Sequence, residues 1–493
     1  MNIYLQQHTG LPTEKQIKSV TNWIMLFNYP VQDRILSALP HNDAFLARRR
    51  RIGVKKPDTS PVVLDLPNIT GSHVSMAGIK TSIPSFDLLT LAGKLVNSHS
   101  VYQPEQLGIV IAGFEKKDAE RMAEVMIAAV LAAAADMPRF KSGEESRRHV
   151  KKIHLYGIVA AHGFKKTFAE AEGNALARSL SMLPSNKLTP TDYLKRIRQL
   201  ARENKWTLEF HDVERLRKKK AGAFLAVAQG SPTADAGIVR LHYKPATAAG
   251  NKKVSLVGKG ICYDTGGTNL KAANHMFGMH EDMQGSAVAL GTLLALTRLH
   301  YKHEVECWMA IAMNHIGPKS YKPNDIVTAM DGTTIEVVHT DAEGRMILAD
   351  ALALASGKKP GLIIDYATLT GACIYSLGTA YSGVFTNRED WIPTLVQAGR
   401  DSGERVWPFP LDEDYDRLIE SDIADIKQCS RESGVDHILA ARFLQRFVKN
   451  DVPWIHLDLS SSNRKGGLAH IPTETTGFGV RYSLNLLLEK KII

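Results

Sequence analysis

Three stretches set charged side chains beside glycine or against long apolar runs: LVGKGICYDTGGTNLK (256–271), MHEDMQGSAVALGTLLAL (279–296) and HTDAEGRMILAD (339–350). Taken singly, Asp264, Asp282, Asp341 and Glu343 each fit a helix N-cap or a surface ion pair. Taken together, their glycine-rich or apolar neighbours predict four partly buried carboxylates, which would raise one another's pKa unless positive charge sits among them. A pair of divalent cations supplies four positive charges against the four negative ones. Oxygen donors suit Mg, Mn or Zn, and the cysteines have no metal-binding spacing. Lys259 and Lys271 fit simple counter-ions. Beside two metals, however, one lysine can lose its proton and ligate while another stays charged and stabilises an oxyanion. A phosphate loop fits less well, because Gly260 rather than Ser or Thr follows Lys259, and no GxGxxG is present. The alternate spacing of Asp341, Glu343 and Arg345 predicts an extended segment with all three on one side, anchored by the apolar MILADALALA behind it.

These side chains need elements to carry them. In the first third, PVVLDL (61–66), LGIVIAGF (107–114) and KIHLYGIVA (152–160) read as buried strands, and 119–135 reads as a helix. A helical segment at 168–183 stops at Pro184, and Thr189 with Pro190 caps the next. Beyond it, AGAFLAVAQG (221–230), VSLVGKG (254–260), VECWMAIAM (305–313), GLIIDYATLTG (361–371) and WIHLDLSSS (454–462) continue the alternation of strands with helical patterns. The expectation is an α/β protein of two domains: a smaller N-terminal one (1–165) with a largely parallel sheet, and a larger C-terminal one (166–493) with a mixed central sheet flanked by helices. Polar clusters fall just after the strands: Lys259 and Asp264, Asn314 and His315, Thr368 to Gly371, Ser460 to Asn463. In open α/β sheets that is where ligands bind, so one site fed by several strands is expected.

Length and composition agree with a folded globular protein: 493 residues, 44% hydrophobic and 23% charged. Four widely spaced cysteines read as reduced thiols, the first residues lack a secretory pattern, and the longest apolar run (125–135) is short of a membrane span; the expected location is the cytoplasm. The net charge is +10, and residues 1–180 carry 23 Lys and Arg against 16 Asp and Glu. The densest piece, ARRRRIGVKK (47–56), suits a solvated loop or, as the alternative, contacts with nucleic-acid phosphates.

The segments VGKG, YDTGG, NLK, EDM, HTDAEGR and ATLTGA, in this order and spacing, resemble the leucine (cytosol) aminopeptidase family of dinuclear metallopeptidases, over roughly residues 168–480. The resemblance implies that Lys259, Asp264, Asp282 and Glu343 hold one metal and Asp264, Asp341 and Glu343 the other, as Mn or Zn with Mg or Co possible in one site. It further implies that Lys271 polarises the scissile carbonyl, and that Arg345 holds a bicarbonate acting as general base. The substrate α-amine would bind one metal and Asp282, which restricts cleavage to the N-terminal bond of peptides. Met279, Thr368, Leu369 and Gly371 match positions that line the pocket for the first side chain, leucine-like in this family, or that bind substrate backbone. The family forms homohexamers. Departures are His339, where the family has Asn, and Ser460, Ser461 and Asn463 in a pocket-wall region. His339 is expected either to hydrogen-bond behind the metal ligands or to make metal affinity or rate depend on pH near neutrality.

Overall fold

The computed structural model describes residues 3–53, 56–143, 149–247, 250, 252–431 and 434–493. The chain divides into two compact units, Met1–Ala171 with Lys465–Glu474, and Glu172–Arg464 with Thr475–Ile493.

In the first unit, β1 (Tyr4–His8), β2 (Asn22–Asn28), β3 (Val62–Asp65), β4 (His73–Ile79), β5 (Gln106–Ala112) and β6 (Lys152–Tyr156) form a sheet in the order β1-β6-β5-β2-β4-β3. All neighbours are parallel except edge strand β3, which runs antiparallel to β4. Alternate residues of β2 explain why both faces are covered. Trp23, Met25 and Phe27 join a core with Leu36 and Phe45, whereas Ile24 and Leu26 join the core under helices Ser85–Asn97 and Lys116–Ala134. β1, β2 and β4 lie outside the expected strands, although the run WIMLFN carries a strand signal. The basic run is not a loop: Arg48 to Arg51 end the helix Asn42–Ile52, where cations favour the helix dipole, and Arg49 pairs with Asp58 at 3.2 Å. Lys55 of that run lies outside the described residues.

In the second unit, β7 (Thr207–Asp212), β8 (Gly237–Tyr243), β9 (Lys253–Asp264) and β10 (Glu304–Asn314) precede two short strands, β11 (Ile326–Thr328) and β12 (Thr334–Glu336). Then come β13 (Leu362–Ala367), β14 (Ser382–Thr386), β15 (Val406–Pro408), β16 (Ile426–Lys427) and β17 (Trp454–Asp458). The main sheet has the order β15-β14-β17-β13-β9-β10-β8-β7, and β11, β12 and β16 form a small separate one. Its centre, β17-β13-β9-β10, is parallel, while β14, β8 and β7 join antiparallel, so the sheet is mixed. The central strands are buried on both faces, which is why they read as nearly continuous apolar runs. Helices Gln284–Arg298 and Glu343–Ser356 are likewise buried along most of their length.

One expected strand is a helix. AGAFLAVAQG forms Gly222–Ala228, and Asp350 of the Glu343–Ser356 helix accepts the Phe224 N–H at 2.8 Å. A short apolar run fits either element by pattern, and here tertiary packing decides. Among the described residues no helix is long and apolar enough to cross a membrane.

Candidate metal centre

The charged residues gather where the parallel strands end. Lys259 lies within β9 and Asp264 closes it, Asn314 closes β10, and Thr368 follows β13. Asp282 sits in the turn before the Gln284–Arg298 helix. Asp341 lies in the turn before the Glu343–Ser356 helix, of which Glu343 is the first residue. Carboxylate oxygens of Asp264, Asp341 and Glu343 lie within 4.8 Å of one another.

Two ammonium groups bridge the acids. Lys271 Nζ is 2.9 Å from Asp264 and 2.5 Å from Asp341. Lys259 Nζ is 2.8 Å from Asp282 and 2.9 Å from Glu343, and donates to the Thr368 carbonyl at 2.9 Å. The Thr368 hydroxyl donates to Asp282 Oδ1 at 2.7 Å. Lys259 fits because residue 344 is glycine: a Cβ there would stand 2.7 Å from Lys259 Cε and 2.8 Å from its Nζ. Asn314 spans the centre, its amide donating to Asp264 at 2.8 Å and to the Thr340 carbonyl at 3.0 Å, with Glu343 at 3.4 Å.

Charge does not balance in this arrangement, since four carboxylates face two ammonium groups. Burial pushes the Asp282 carboxyl up to about 8, against Lys259 and with Glu343 and Asp264 adding to the rise. Burial, then the neighbouring Asp264, pushes Asp341 up to about 6 and moves Glu343 the same way. Burial opposes the charge on Lys259 and Lys271, but the surrounding carboxylates outweigh it and raise both. Asp282 Oδ2 and Asn314 Oδ1 are buried oxygens without a hydrogen-bond partner. Excess negative charge, oxygen donors and buried oxygens still to be satisfied together fit a hard divalent cation.

The DxExR segment is not extended. Because the helix starts at Glu343, a spacing of two residues turns through roughly 200° rather than back to the same face. Glu343 therefore faces Lys259, while buried Arg345 donates to the Gln428 carbonyl at 3.1 Å and to Asp436 at 2.7 Å. His339 is exposed; its Nδ1 accepts the Asp341 N–H at 3.3 Å. Met279 is half-buried in the short 3-10 turn Met279–Glu281, Thr368 and Leu369 are half-buried beyond β13, and Gly371 is exposed at the start of helix Gly371–Leu377. Ser460 donates to the Tyr381 carbonyl at 2.6 Å, and Ser461 is fully buried. The sequence reading gave no role to Asn314, Asp436 or Glu281. Asn314 carried a signal as a polar residue closing an apolar strand, and Glu281 one as the neighbour of Asp282 ahead of an apolar helix.

The family described as "Cytosol aminopeptidase family, catalytic domain" matches residues 175–484. A protein of Wolbachia pipientis described as "Probable cytosol aminopeptidase" is 41% identical over 335 residues, 67% of this chain and 66% of its own length. One of Chlorobaculum tepidum with the same description is 36% identical over 76% of each chain. The match thus spans about two thirds to three quarters of these relatives. Among solved structures, a mutant tomato leucine aminopeptidase superposes with a TM-score of 0.85 at 26% identity, covering 99% of this chain and 96% of that one. The bottromycin maturation enzyme BotP in complex with Mn gives 0.81 at 29% identity, covering 96% and 99%.

Proposed function

The chain belongs to the cytosol aminopeptidase family, and from that premise we propose that it hydrolyses the N-terminal peptide bond of peptides, preferring leucine-like first residues, at a centre for two divalent cations. One observation carries the reading: Asp264, Asp341 and Glu343 converge within 4.8 Å, and Asp282 joins them through Lys259. Lys259, Asp264, Asp282 and Glu343 would hold one cation and Asp264, Asp341 and Glu343 the other. BotP with Mn supports Mn as an occupant, with Zn the alternative and Mg or Co possible in one site. Bound there, the pair supplies Lewis acidity and a water of lowered pKa.

The chain's own residues do the rest. Lys271, held charged between Asp264 and Asp341, donates to the oxygen on which negative charge develops as the carbonyl carbon becomes tetrahedral. Asp282, with one cation, would recognise the free α-amine of the substrate, which an N-acylated or internal residue does not offer. Met279, Thr368, Leu369 and Gly371 would line the pocket for the first side chain or bind substrate backbone. Arg345 is assigned the bicarbonate: its buried Nε has no hydrogen-bond partner, and Nη1 and Nη2, which donate to Gln428 and Asp436, each keep a second N–H. A cytoplasmic homohexamer belongs to the same proposal. The alternative, nucleic-acid binding by the basic run, is weaker, because Arg49 is spent on Asp58.

Dialysis against a chelator is expected to abolish hydrolysis of leucine amide, and Mn or Zn to restore it. Full activity in protein shown to be free of metal would refute the proposal.

A further inference from the structure

Asp282 stands on a turn that is gripped from both sides by one distant residue. The preceding residue, Glu281, accepts a hydrogen bond from Asn463 Nδ2 and one of 3.0 Å from the Thr475 hydroxyl. Gln284, buried in the first turn of the helix that follows, donates through Nε2 to Asn463 Oδ1 at 3.2 Å. The single amide of Asn463 thus uses its donor end on Glu281 and its acceptor end on Gln284, which fixes its orientation and brackets Asp282 and Met283. Asn463 is itself held, by an antiparallel bridge to Thr475, while the Thr476 N–H donates to the Ser462 carbonyl at 2.8 Å and its hydroxyl to the Ser461 carbonyl at 2.7 Å.

We propose that Glu281, Asn463 and Gln284 form a clasp that positions Asp282 and sets the affinity of the one cation site to which Asp282 contributes. The inference rests on the two-cation reading above. Asp282 Oδ1 is otherwise held by Lys259 and Thr368, and its Oδ2 has no hydrogen-bond partner. If Lys259 gives up its ammonium role to bind a cation, the turn loses its strongest side-chain tie. The clasp remains, because its bonds from Asn463 to Glu281 and from Gln284 to Asn463 are made apart from Lys259. Asn463, Glu281 and Gln284 are positioning residues, acting on Asp282 through the turn. Losing residues that orient a metal ligand typically weakens metal binding about 10–100-fold. The clasp hydrogen bonds flank Asp282 alone among the four carboxylates, so the site that Asp282 joins is the one expected to change.

The test is calorimetric titration of the full-length protein, stripped of metal, with Mn and with Zn. Wild type is expected to bind two ions. Asn463→Ala and Glu281→Ala are expected to weaken one site by about 10–100-fold and to leave the other within about twofold. Glu281→Gln, whose amide can still accept from Asn463 and donate to Thr475, is expected to restore the wild-type pair of affinities. Unchanged affinities in both alanine variants, equal weakening of both sites, or failure of Glu281→Gln to restore binding would overturn the clasp while leaving the two-cation centre intact. Wild type that binds no divalent cation would overturn both. If Asn463→Ala does not fold, as judged by thermal unfolding of the stripped protein, the comparison of Glu281→Ala with Glu281→Gln decides alone.

Discussion

Replacing Lys271 by Met keeps the length of the side chain and removes its charge, so it separates two roles that the geometry allows. One is electrostatic catalysis. Removing a donor aimed at an oxyanion typically lowers kcat about 10²–10³-fold, or about 2.7–4 kcal/mol, and Lys271 brings a full charge in a mostly buried position, which places it toward the upper end. The other role is that of a counter-ion for Asp264 and Asp341, whose contacts of 2.9 Å and 2.5 Å would be lost. That loss harms the metal-free protein, which is left with two uncompensated carboxylates, and added cation should reverse it.

The two effects therefore part company under saturating metal. Steady-state hydrolysis of a leucine anilide by Lys271→Met at saturating Mn should show kcat reduced by about 10²–10³-fold with KM within about threefold, because an interaction made only in the transition state leaves ground-state binding alone. The unfolding temperature, lowered without metal, should return toward wild type with it. If kcat falls by less than about tenfold once metal has restored stability, Lys271 is a counter-ion and the oxyanion role is wrong. A loss confined to KM would also refute it.

Two further outcomes follow from the geometry. Gly266 has φ +86°, and a Cβ there would lie 2.4 Å from the Asn269 carbonyl oxygen and 3.0 Å from the Lys271 nitrogen. Gly266→Ala should thus cost about 1–3 kcal/mol in thermal unfolding and lower turnover by displacing Lys271; wild-type stability and rate would show that the loop yields freely. Acid should weaken the first unit through His99, whose ring is bonded to Ser75 at 2.9 Å and Asn22 at 3.0 Å. Burial, then nearby His73, lowers its pKa to about 3. Above about pH 6.5 the ring is neutral in both states and has no effect. Below that, the unfolded chain takes up a proton that the folded one refuses until about pH 3, so stability falls by about 2 kcal/mol at pH 5. Urea unfolding at pH 7.5 and pH 5 should show this loss reduced in His99→Gln, and identical pH dependence in the two proteins would exclude His99 as its source.

How much of this was legible in the sequence depended on the range of the interaction that fixed each feature. Strands β9, β10, β13 and β17 were legible because strands buried on both faces must be apolar along their length, and the polar residues at their ends stood out against that background. The run 221–230 was not: its residues suit strand or helix, and the contact that accompanies the helix comes from Asp350, far along the chain. The partners of Asn314, Asp436 and Glu281 were not legible for a related reason. An amide or a single acid has no local pattern that reveals which distant backbone or carboxylate it will meet.

The HTDAEGR motif went astray differently, through the wrong period. An alternating pattern puts charges on one face only if the chain is extended, and here a helix begins inside the motif. Glycine at 344 is what the helix requires, because the Lys259 side chain lies against it. With roughly 100° of turn per residue, Glu343 looks into the carboxylate cluster and Arg345 looks away, to Gln428 and Asp436. The motif thus serves two electrostatic environments. An anion held by Arg345 would be tuned by Asp436, an acid about ninety residues distant in sequence that carries 2.7 Å of contact with the same guanidinium.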